Sequence, residues 1–358
     1  MNSSAAATKI RVLIVDDSIT SRRLHQRIIE SDPGFEVAGM ANDGQTALKM
    51  IRELRPDVVS MDIHMPVMDG IEATLLIMQQ EPVPILIVSS LYNDSEKELA
   101  VRAMAAGAVY IMPKPNGPGH ENYGRSSALY LRMLRNMAGV KVVRRKSAAP
   151  KAIPRTEKMS PTEVSHTKAF GDEFRKIVVI GASAGGPEAL RSVLGGIPES
   201  FPFPILVVQH IHEQFTDTYC KWLDTHTALK VCIAEKDQKM SAGTVYIAPG
   251  GTHLELKSRT SLTLTSGEAH KGHRPSVSVL FESAERTFGS NTVAVMLSGM
   301  GRDGADEMIA LKRAGALTLV QNEESCLVFG MPGSVVSKGG ATLVLPPELI
   351  AGKLNELK

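Results

Sequence analysis

The chain has 358 residues, so we expect two domains, because one domain usually takes about 150 residues. It carries 40 basic and 38 acidic side chains, and 43% of its residues are apolar against 22% charged, which excludes collagen-like, coiled-coil and wholly disordered proteins. No apolar run approaches the ~18 residues that cross a bilayer, and the first residues lack the apolar core of a secretory signal, so we expect a cytoplasmic protein without membrane insertion.

The first half of the chain alternates short apolar runs with amphipathic stretches of helical spacing. Five of the runs have the length and the β-branched content of strands. They are IRVLIV, FEVAGM, DVVSM, PILIVSS and VYIM. This alternation predicts an α/β domain with a parallel, doubly wound, flavodoxin-like sheet, whose ligand site lies beyond the carboxyl ends of the strands.

Polar side chains follow these strands. Asp16 and Asp17 follow the first strand, Asp62 follows the third, Ser89 ends the fourth and Lys114 follows the fifth. Carboxylates that converge on one point repel each other unless a hard cation is present, and Mg²⁺ prefers oxygen ligands. A phosphoryl group on Asp62 would be neutralised by that ion and by Lys114. Helix capping by isolated aspartates is the alternative, but it does not explain the whole set with Lys114.

The motifs VDDS, MDIHMPVMDG, IVSS and MPKP resemble the receiver domain of bacterial response regulators. The predicted receiver domain spans residues 9–135. The resemblance implies that Asp62 is the phosphorylation site and that Asp16, Asp17 and Asp62 bind Mg²⁺. It also implies that Ser89 and Lys114 act as switch residues, and that a chemotaxis-type histidine kinase is the partner that supplies the phosphoryl group.

Residues 136–175 are predicted to form a linker. Between Lys141 and Lys158 there are seven basic side chains and one acidic side chain, a net charge of +6. Prolines and small residues without an apolar period are typical of a solvated segment. A nucleic-acid or membrane-surface role is the alternative, but no aromatic side chain is interleaved for base stacking, and we expect no nucleic-acid partner.

The alternation resumes at Lys176 and predicts a second, Rossmann-like doubly wound domain over residues 176–355. Its first strand runs into the turn GASAG, a G-x-S-x-G pattern with Ser183 at the centre. A phosphate-binding glycine turn is the alternative, but neither standard nucleotide-binding pattern is matched. His210 and Asp303 end or follow two later strands, so we expect all three side chains at one sheet edge.

These three residue types form a nucleophilic triad when they meet. A neutral imidazole at His210 accepts the proton of Ser183, and a carboxylate at Asp303 fixes the tautomer of the imidazole and stabilises its charged form. The glycine-rich turn LSGMGRDG offers backbone N–H groups to an oxyanion. The predicted reaction is acyl transfer to water by a serine hydrolase, with no cofactor in this domain. The chain order Ser, His, Asp differs from that of α/β-hydrolases.

A metallohydrolase is an open alternative, because His210-x-His212 and His270-x-x-His273 could each present two imidazoles. No H-E-x-x-H spacing accompanies them, and the three cysteines form no C-x-x-C motif. We therefore interpret His212 and His270 as surface residues.

The motifs GASAGGPEAL, VVQH, HLEL, HRPSV, LSGMGRDGA and VFGMP occur in this order and resemble the catalytic domain of the CheB family of chemotaxis methylesterases. The resemblance implies hydrolysis of glutamate γ-methyl esters on methyl-accepting chemoreceptors, with deamidation of receptor glutamines in many members. It implies that Ser183 is the nucleophile, His210 the general base, Asp303 its orienting carboxylate, and Met300 a backbone contributor to the oxyanion hole. It further implies that the unphosphorylated receiver docks over the catalytic cleft and that phosphorylation weakens this docking.

The chain departs from the usual family motifs GASTGG, QHMP and HRPSVD at Ala184, at Ile211-His212 and at Ser278. Arg274 is retained, and it would either contact the receptor substrate or form a structural salt bridge. The alternative function is a response regulator whose diverged effector domain binds receptors or other partners without catalysis. The complete triad of residue types favours the enzyme.

Overall fold

The computed structural model describes residues 8–90, 94–143 and 174–357, which form two α/β units. Most of the predicted linker lies outside these described residues. None of the described helices has the length and apolar character needed to span a membrane.

The first unit is a parallel sheet of five strands with helices between them, which confirms the predicted fold class. Its strands are β1 (Ile10–Val15), β2 (Phe35–Ala41), β3 (Val58–Met61), β4 (Ile85–Ser89) and β5 (Tyr110–Pro113). Its helices are α1 (Ile19–Glu30), α2 (Gly44–Leu54), α3 (Gly70–Gln80), α4 (Asp94–Ala106) and α5 (Tyr123–Ala138). The strand order is β2-β1-β3-β4-β5, so β1 and β3 are neighbours and their carboxyl ends meet.

Short polar caps start the helices directly after the strands. The side chain of Ser18 accepts the N–H of Ser21 at the start of α1, and Asp43 accepts the N–H of Thr46 at the start of α2. Asp69 accepts two N–H groups at the start of α3. These caps satisfy backbone donors that a helix leaves open, and they fix the loops that carry the acidic residues.

The second unit is a parallel sheet of seven strands, which again confirms the doubly wound class, with an added antiparallel hairpin. The sheet strands are β6 (Ile177–Ala182), β7 (Ile205–Gln209), β8 (Lys230–Ile233), β9 (Thr244–Ile247), β12 (Thr292–Met296), β13 (Leu317–Gln321) and β14 (Leu343–Leu345). The hairpin is β10 (His253–Ser258) and β11 (Ser261–Thr265). The helices are α6 (Gly186–Gly195), α7 (Thr216–Asp224), α8 (Val277–Phe288), α9 (Ala305–Arg313), α10 (Met331–Ser337) and α11 (Pro347–Asn355).

Both faces of the second sheet are buried. Val178 and Ile180 of β6 belong to one apolar cluster, whereas Ile177 and Val179 belong to the other, as the two-residue period of a strand requires. The strand order β14-β13-β12-β6-β7-β9-β8 reverses direction at β6. The carboxyl ends of β12, β6 and β7 therefore lie side by side at the switch point, where α/β sheets bind ligands.

The two units contact each other. Helix α4 of the first unit packs against α6 and α7 of the second, and one apolar cluster continues across this contact. Beyond α5, Val142 forms an antiparallel bridge with Val328, and the Val143 N–H donates to the Leu327 carbonyl at 3.1 Å. The end of the first unit is thus held against a loop of the second.

The core of the first unit contains a buried histidine on α1. His25 is 1% exposed, and neither of its ring nitrogens has a hydrogen-bond partner among the described residues. Its ring lies 5.2 Å from the ring of Tyr130, centroid to centroid. Burial lowers the pKa of His25 from 6.5 to about 4.

We expect this histidine to make the stability of the protein depend on pH. The unfolded chain takes up a proton near pH 6.5 and the folded chain only near pH 4, so the free energy of unfolding falls as the pH is lowered between these values. The loss is roughly 3 kcal/mol at most. Urea denaturation at several pH values should show a smaller loss in His25→Leu than in wild type. His120→Leu, at an exposed site, is the control, and an identical slope in all three proteins would contradict the expectation.

Candidate active site and acidic pocket

Ser183 lies in a tight turn between β6 and α6. Its side chain is nearly buried, and its N–H donates to the Ser298 carbonyl at 3.0 Å. Gly185 has φ +76°, and a Cβ there would lie 2.5 Å from Leu327 and 2.7 Å from the Ser298 hydroxyl. Only glycine fits this position, so the G-x-S-x-G pattern reflects both backbone conformation and close packing.

His210 follows β7 and is held beside this turn by its backbone. The His210 N–H donates to the carbonyl of Ala182, the residue before Ser183, at 2.9 Å. The buried side-chain amide of Gln209 donates to the carbonyl oxygens of Ser183 and His210 at 2.8 and 3.0 Å. The two segments are therefore joined at the sheet edge by two hydrogen bonds, and the third fixes the Gln209 side chain on its own segment.

Both carboxylate oxygens of Asp303 accept hydrogen bonds. Its Oδ2 lies 3.0 Å from Nε2 of His210 and accepts the Val277 N–H at 2.7 Å. Its Oδ1 accepts the Ser276 hydroxyl at 2.9 Å and the Ser278 N–H at 3.1 Å. Because Val277 and Ser278 begin α8, the carboxylate also caps the positive end of this helix.

These contacts set the charge of Asp303. Burial by itself would raise its pKa, but the hydrogen bonds from His210, Ser278 and Val277 outweigh burial and hold the pKa well below its usual range. An ionised carboxylate has no proton to donate, so Nε2 of His210 carries the hydrogen of the shared bond. Nδ1 of His210 is buried and has no partner among the described residues. This nitrogen is the one left to accept a proton.

The structure brings the backbones of Ser183 and His210 together, but it contains no hydrogen bond between the Ser183 hydroxyl and the imidazole among the described residues. In a serine hydrolase without substrate, this bond is commonly long and shortens when substrate binds. The His210–Asp303 pair is the part of the triad that is already joined.

Met300 lies on a loop that packs against the nucleophile. Its neighbour Gly299 is so close to Ser183 that a Cβ on Gly299 would lie 3.0 Å from the Ser183 Cβ. The Gly299 N–H donates to the Val328 carbonyl at 3.1 Å, and the Gly299 carbonyl accepts the N–H groups of Gly330 and Met331. The Met300 N–H has no backbone partner among the described residues. Its position one residue beyond Gly299 suits a donor to an oxyanion near Ser183.

Sequence reasoning missed His273. Its ring stacks on the ring of His210 with a centroid distance of 4.1 Å and an interplanar angle of 4°. Burial, reinforced by His210, lowers the pKa of His273 to about 4, so this ring is neutral near pH 7 and does not repel a protonated His210. The signal that could have found it is its place in HRPSV, directly before the helix that Asp303 caps.

Ser278 and Ala184 are both buried beside the catalytic residues. The Ser278 hydroxyl donates to Glu307 at 2.8 Å and accepts the Gly304 N–H at 3.0 Å, so this smaller residue still joins α8 to α9. The Ala184 carbonyl accepts the Ser298 hydroxyl at 2.7 Å.

His212 and Arg274 form no hydrogen bond with Ser183, His210 or Asp303 among the described residues. His212 caps a short helical turn by accepting the Gln214 N–H. Arg274 is exposed, donates to the Gly267 carbonyl at 3.0 Å and forms no ion pair with a described residue. Its guanidinium therefore remains largely available to a partner.

The polar residues of the first unit converge at the carboxyl ends of its strands. Oxygen atoms of Asp16, Asp17 and Asp62 lie within 4.8 Å of one another. Nζ of Lys114 lies 2.7 Å from Asp16 and 2.8 Å from Asp62. Three carboxylates and one ammonium leave two negative charges, and an oxygen-only donor set of this charge fits a Mg²⁺ ion.

Burial and pairing act in opposite directions in this pocket. Burial raises the pKa of Asp62, although the Lys114 ammonium opposes the rise. Burial alone would lower the pKa of Lys114, but its bonds to Asp16 and Asp62 raise it above the ordinary value. Ser89 is buried, and its carbonyl accepts the Lys114 N–H at 3.1 Å, so both residues lie at one edge of the pocket.

A charged side chain of the first unit also influences His273, the residue that stacks on His210. Arg132 of α5 is close enough to His273 to contribute to the lowering of its pKa. Val142 forms a bridge with Val328, and the Val328 carbonyl accepts the N–H of Gly299. The first unit therefore lies against the rim of the catalytic site.

Comparison with known proteins gives matches for both units. Residues 178–354 match the family model of the CheB methylesterase, and residues 12–120 match that of the response regulator receiver domain. The chain is 45% identical to protein-glutamate methylesterase/protein-glutamine glutaminase 3 of Hahella chejuensis, over 97% of this chain and 98% of that protein. It is 41% identical to protein-glutamate methylesterase/protein-glutamine glutaminase 4 of Geobacter metallireducens, over 97% and 99%. The crystal structure of the Thermotoga maritima CheB methylesterase catalytic domain is similar with a TM-score of 0.50 and 40% identity, over 51% of this chain and 98% of that chain.

Asp303→Asn is expected to lower ester hydrolysis about 10³-fold or more, because an amide cannot stabilise a protonated His210 and can impose the wrong tautomer. The rate of ester hydrolysis under saturating substrate measures the effect. Asp306→Asn is the matched control, since Asp306 is an exposed carboxylate of α9 that pairs with Lys338. Equal rates in the two variants would show that Asp303 does not orient the base.

Proposed function

Because the chain belongs to the CheB methylesterase family and carries a response regulator receiver domain, we propose that it hydrolyses glutamate γ-methyl esters on methyl-accepting chemoreceptors under the control of phosphorylation. The observation that carries this proposal is the bond between His210 and the ionised Asp303, next to the turn of Ser183. A non-catalytic receptor-binding module is not favoured, since such a module needs no charge-stabilised imidazole beside a serine.

The reaction follows from the roles of the three side chains. The Ser183 hydroxyl attacks the ester carbonyl carbon while Nδ1 of His210 takes its proton, and the tetrahedral intermediate carries a negative oxygen. In this proposal the Met300 N–H stabilises that oxygen, and one such donor contributes about 3 kcal/mol. The carbon–oxygen bond to the methoxy group then breaks, and the His210 proton leaves with it as methanol.

Water completes the cycle. His210 takes a proton from a water molecule that attacks the acyl-Ser183 ester, and the same proton returns to Ser183 as the glutamate carboxylate leaves. Asp303 stabilises the protonated His210 in both halves. Deamidation of glutamine follows the same steps, with ammonia in place of methanol, and it is the second activity in the relatives' names. Arg274, exposed beside this site, contacts the receptor substrate.

The acidic pocket is the proposed phosphoacceptor site. Asp62 accepts the phosphoryl group from a chemotaxis-type histidine kinase, and Lys114 and Ser89 contact the new oxygens. Asp16, Asp17 and Asp62 would hold a Mg²⁺ ion, which supplies positive charge to the phosphoryl oxygens. The proposal includes a cytoplasmic location and no nucleic-acid partner.

We further propose three segments: a receiver over residues 9–135, a linker over 136–175 and a catalytic domain over 176–355. The contacts of α4 with α6 and α7, and the bridge at Val142, support a proposed docked state in which the unphosphorylated receiver covers the cleft. Phosphorylation activates the enzyme by favouring the undocked state, for which a difference of a few kcal/mol suffices.

Methanol release from methylated chemoreceptor membranes tests the catalytic proposal. We expect release that rises with a small-molecule phosphodonor in wild type, no release in Ser183→Ala, and only basal release in Asp62→Ala. Ser192→Ala, on the helix that follows the nucleophile, is the matched serine control. Undiminished release from Ser183→Ala would exclude Ser183 as the nucleophile.

Removal of the receiver tests the docking proposal. A chain that begins at Lys176 should release methanol without phosphodonor at a rate above that of the unstimulated full-length protein, because nothing covers the cleft. The similar Thermotoga maritima domain was crystallised as a catalytic domain. A truncated chain that folds by circular dichroism but is slower than the unstimulated full-length protein would contradict inhibition by docking.

A further inference from the structure

A two-residue turn presents the two histidines that sequence analysis left without a role. His270 and His273 exchange two backbone hydrogen bonds of 3.0 Å, and the residues between them, Lys271 and Gly272, have φ of +50° and +87°. Positive φ at both central positions is the geometry of a type I′ hairpin turn. The turn places His273 on the catalytic imidazole of His210 and leaves His270 beside α8 and α9.

At that place His270 meets two glutamates. Nitrogen and oxygen atoms of His270, Glu282 of α8 and Glu307 of α9 lie within 4.8 Å of one another. Nε2 of His270 is buried without a hydrogen-bond partner among the described residues. The Glu282 carboxylate has no hydrogen bond or ion pair with a described residue. A buried, unpaired imidazole nitrogen beside an unpaired carboxylate costs folding free energy unless a further group binds between them.

We propose that His270, Glu282 and Glu307 bind one divalent transition-metal ion, with Zn²⁺ as the probe. Imidazole and carboxylate groups are both zinc ligands, and three protein ligands leave the fourth position of a tetrahedral ion open. Tetrahedral bonds of about 2.0 Å would put the ligand atoms roughly 3.3 Å apart, so side-chain movements of about 1 Å complete the site. The imidazole disfavours Mg²⁺ and Ca²⁺, which prefer oxygen ligands.

Neighbouring groups fit this interpretation. The Ser278 hydroxyl holds one oxygen of Glu307 at 2.8 Å, which orients the carboxylate as outer hydrogen bonds do in metal sites. Nζ of Lys271 lies 3.1 Å from the other oxygen and 3.6 Å from Asp306. The Lys271 side chain is 40% exposed, so its ammonium can leave Glu307 and remain with Asp306 when a dication binds.

The ion would fasten the turn to two helices of the catalytic domain. Because the same turn carries His273, the fastening would also hold the ring that stacks on His210. This site is separate from the triad and from the acidic pocket, and its test reads metal binding, which does not depend on the proposed esterase activity.

Calorimetric titration of the full-length protein with Zn²⁺, in excess Mg²⁺ to fill the acidic pocket, tests the proposal. We expect one ion per chain, and a loss of affinity of tenfold or more in His270→Gln and in Glu282→Gln. Glu285→Gln, a carboxylate of the same helix outside the cluster, is the matched control and should bind as wild type does. Wild-type affinity in both cluster variants would overturn the proposal.

Two further measurements use the neighbouring groups. Lys271→Met should bind Zn²⁺ severalfold more tightly, because the ion no longer displaces an ammonium.

Amide hydrogen exchange of residues 266–273 should slow on addition of Zn²⁺ in wild type and stay unchanged in Glu282→Gln. Exchange that is insensitive to Zn²⁺ in wild type would show that no ion fastens the turn.

Discussion

The catalytic domain depends on one buried negative charge, the carboxylate of Asp303. Four donors surround it, and they come from His210, Ser276 and the first two residues of α8. A buried charge is costly unless it is fully hydrogen-bonded, so these donors keep the carboxylate ionised and also fix the start of α8 against the sheet. The atoms that hold the His210 ring therefore also fix the start of α8.

The acidic pocket of the receiver has a different charge balance from the site around Asp303. This pocket has an excess of negative charge, and the partly buried Lys114 compensates part of it through two short ion pairs. A pocket with this excess of negative charge and only oxygen donors favours the binding of a hard cation. In the catalytic domain a single carboxylate is balanced by neutral N–H and O–H groups, so no cation is needed there. Both sites lie at the carboxyl ends of parallel strands, where loops converge and the sheet leaves a crevice.

A short series of contacts connects the first unit to the turn of Ser183. The residues after α5 pair with Leu327 and Val328, Val328 accepts the Gly299 N–H, and Gly299 packs on Ser183. The end of the first unit is therefore connected by contacts to the loop that carries Met300. The same rim contains His273, whose neutral ring adds packing to His210 without adding charge.

The sequence alone predicts the two parallel sheets and places Ser183, His210 and Asp303 at strand ends, because strand periodicity and glycine turns are local signals. The convergence of Asp16, Asp62 and Lys114 follows in the same way, since parallel strands end at one edge. Only the tertiary structure decides that Nε2 of His210 faces Asp303, that this carboxylate caps α8 and that the His273 ring stacks on His210. These features depend on contacts between segments far apart in the chain, and no spacing within one segment encodes them. The hairpin β10–β11 was not predicted because each strand is short and partly exposed, so its apolar pattern alone does not show which strand it pairs with.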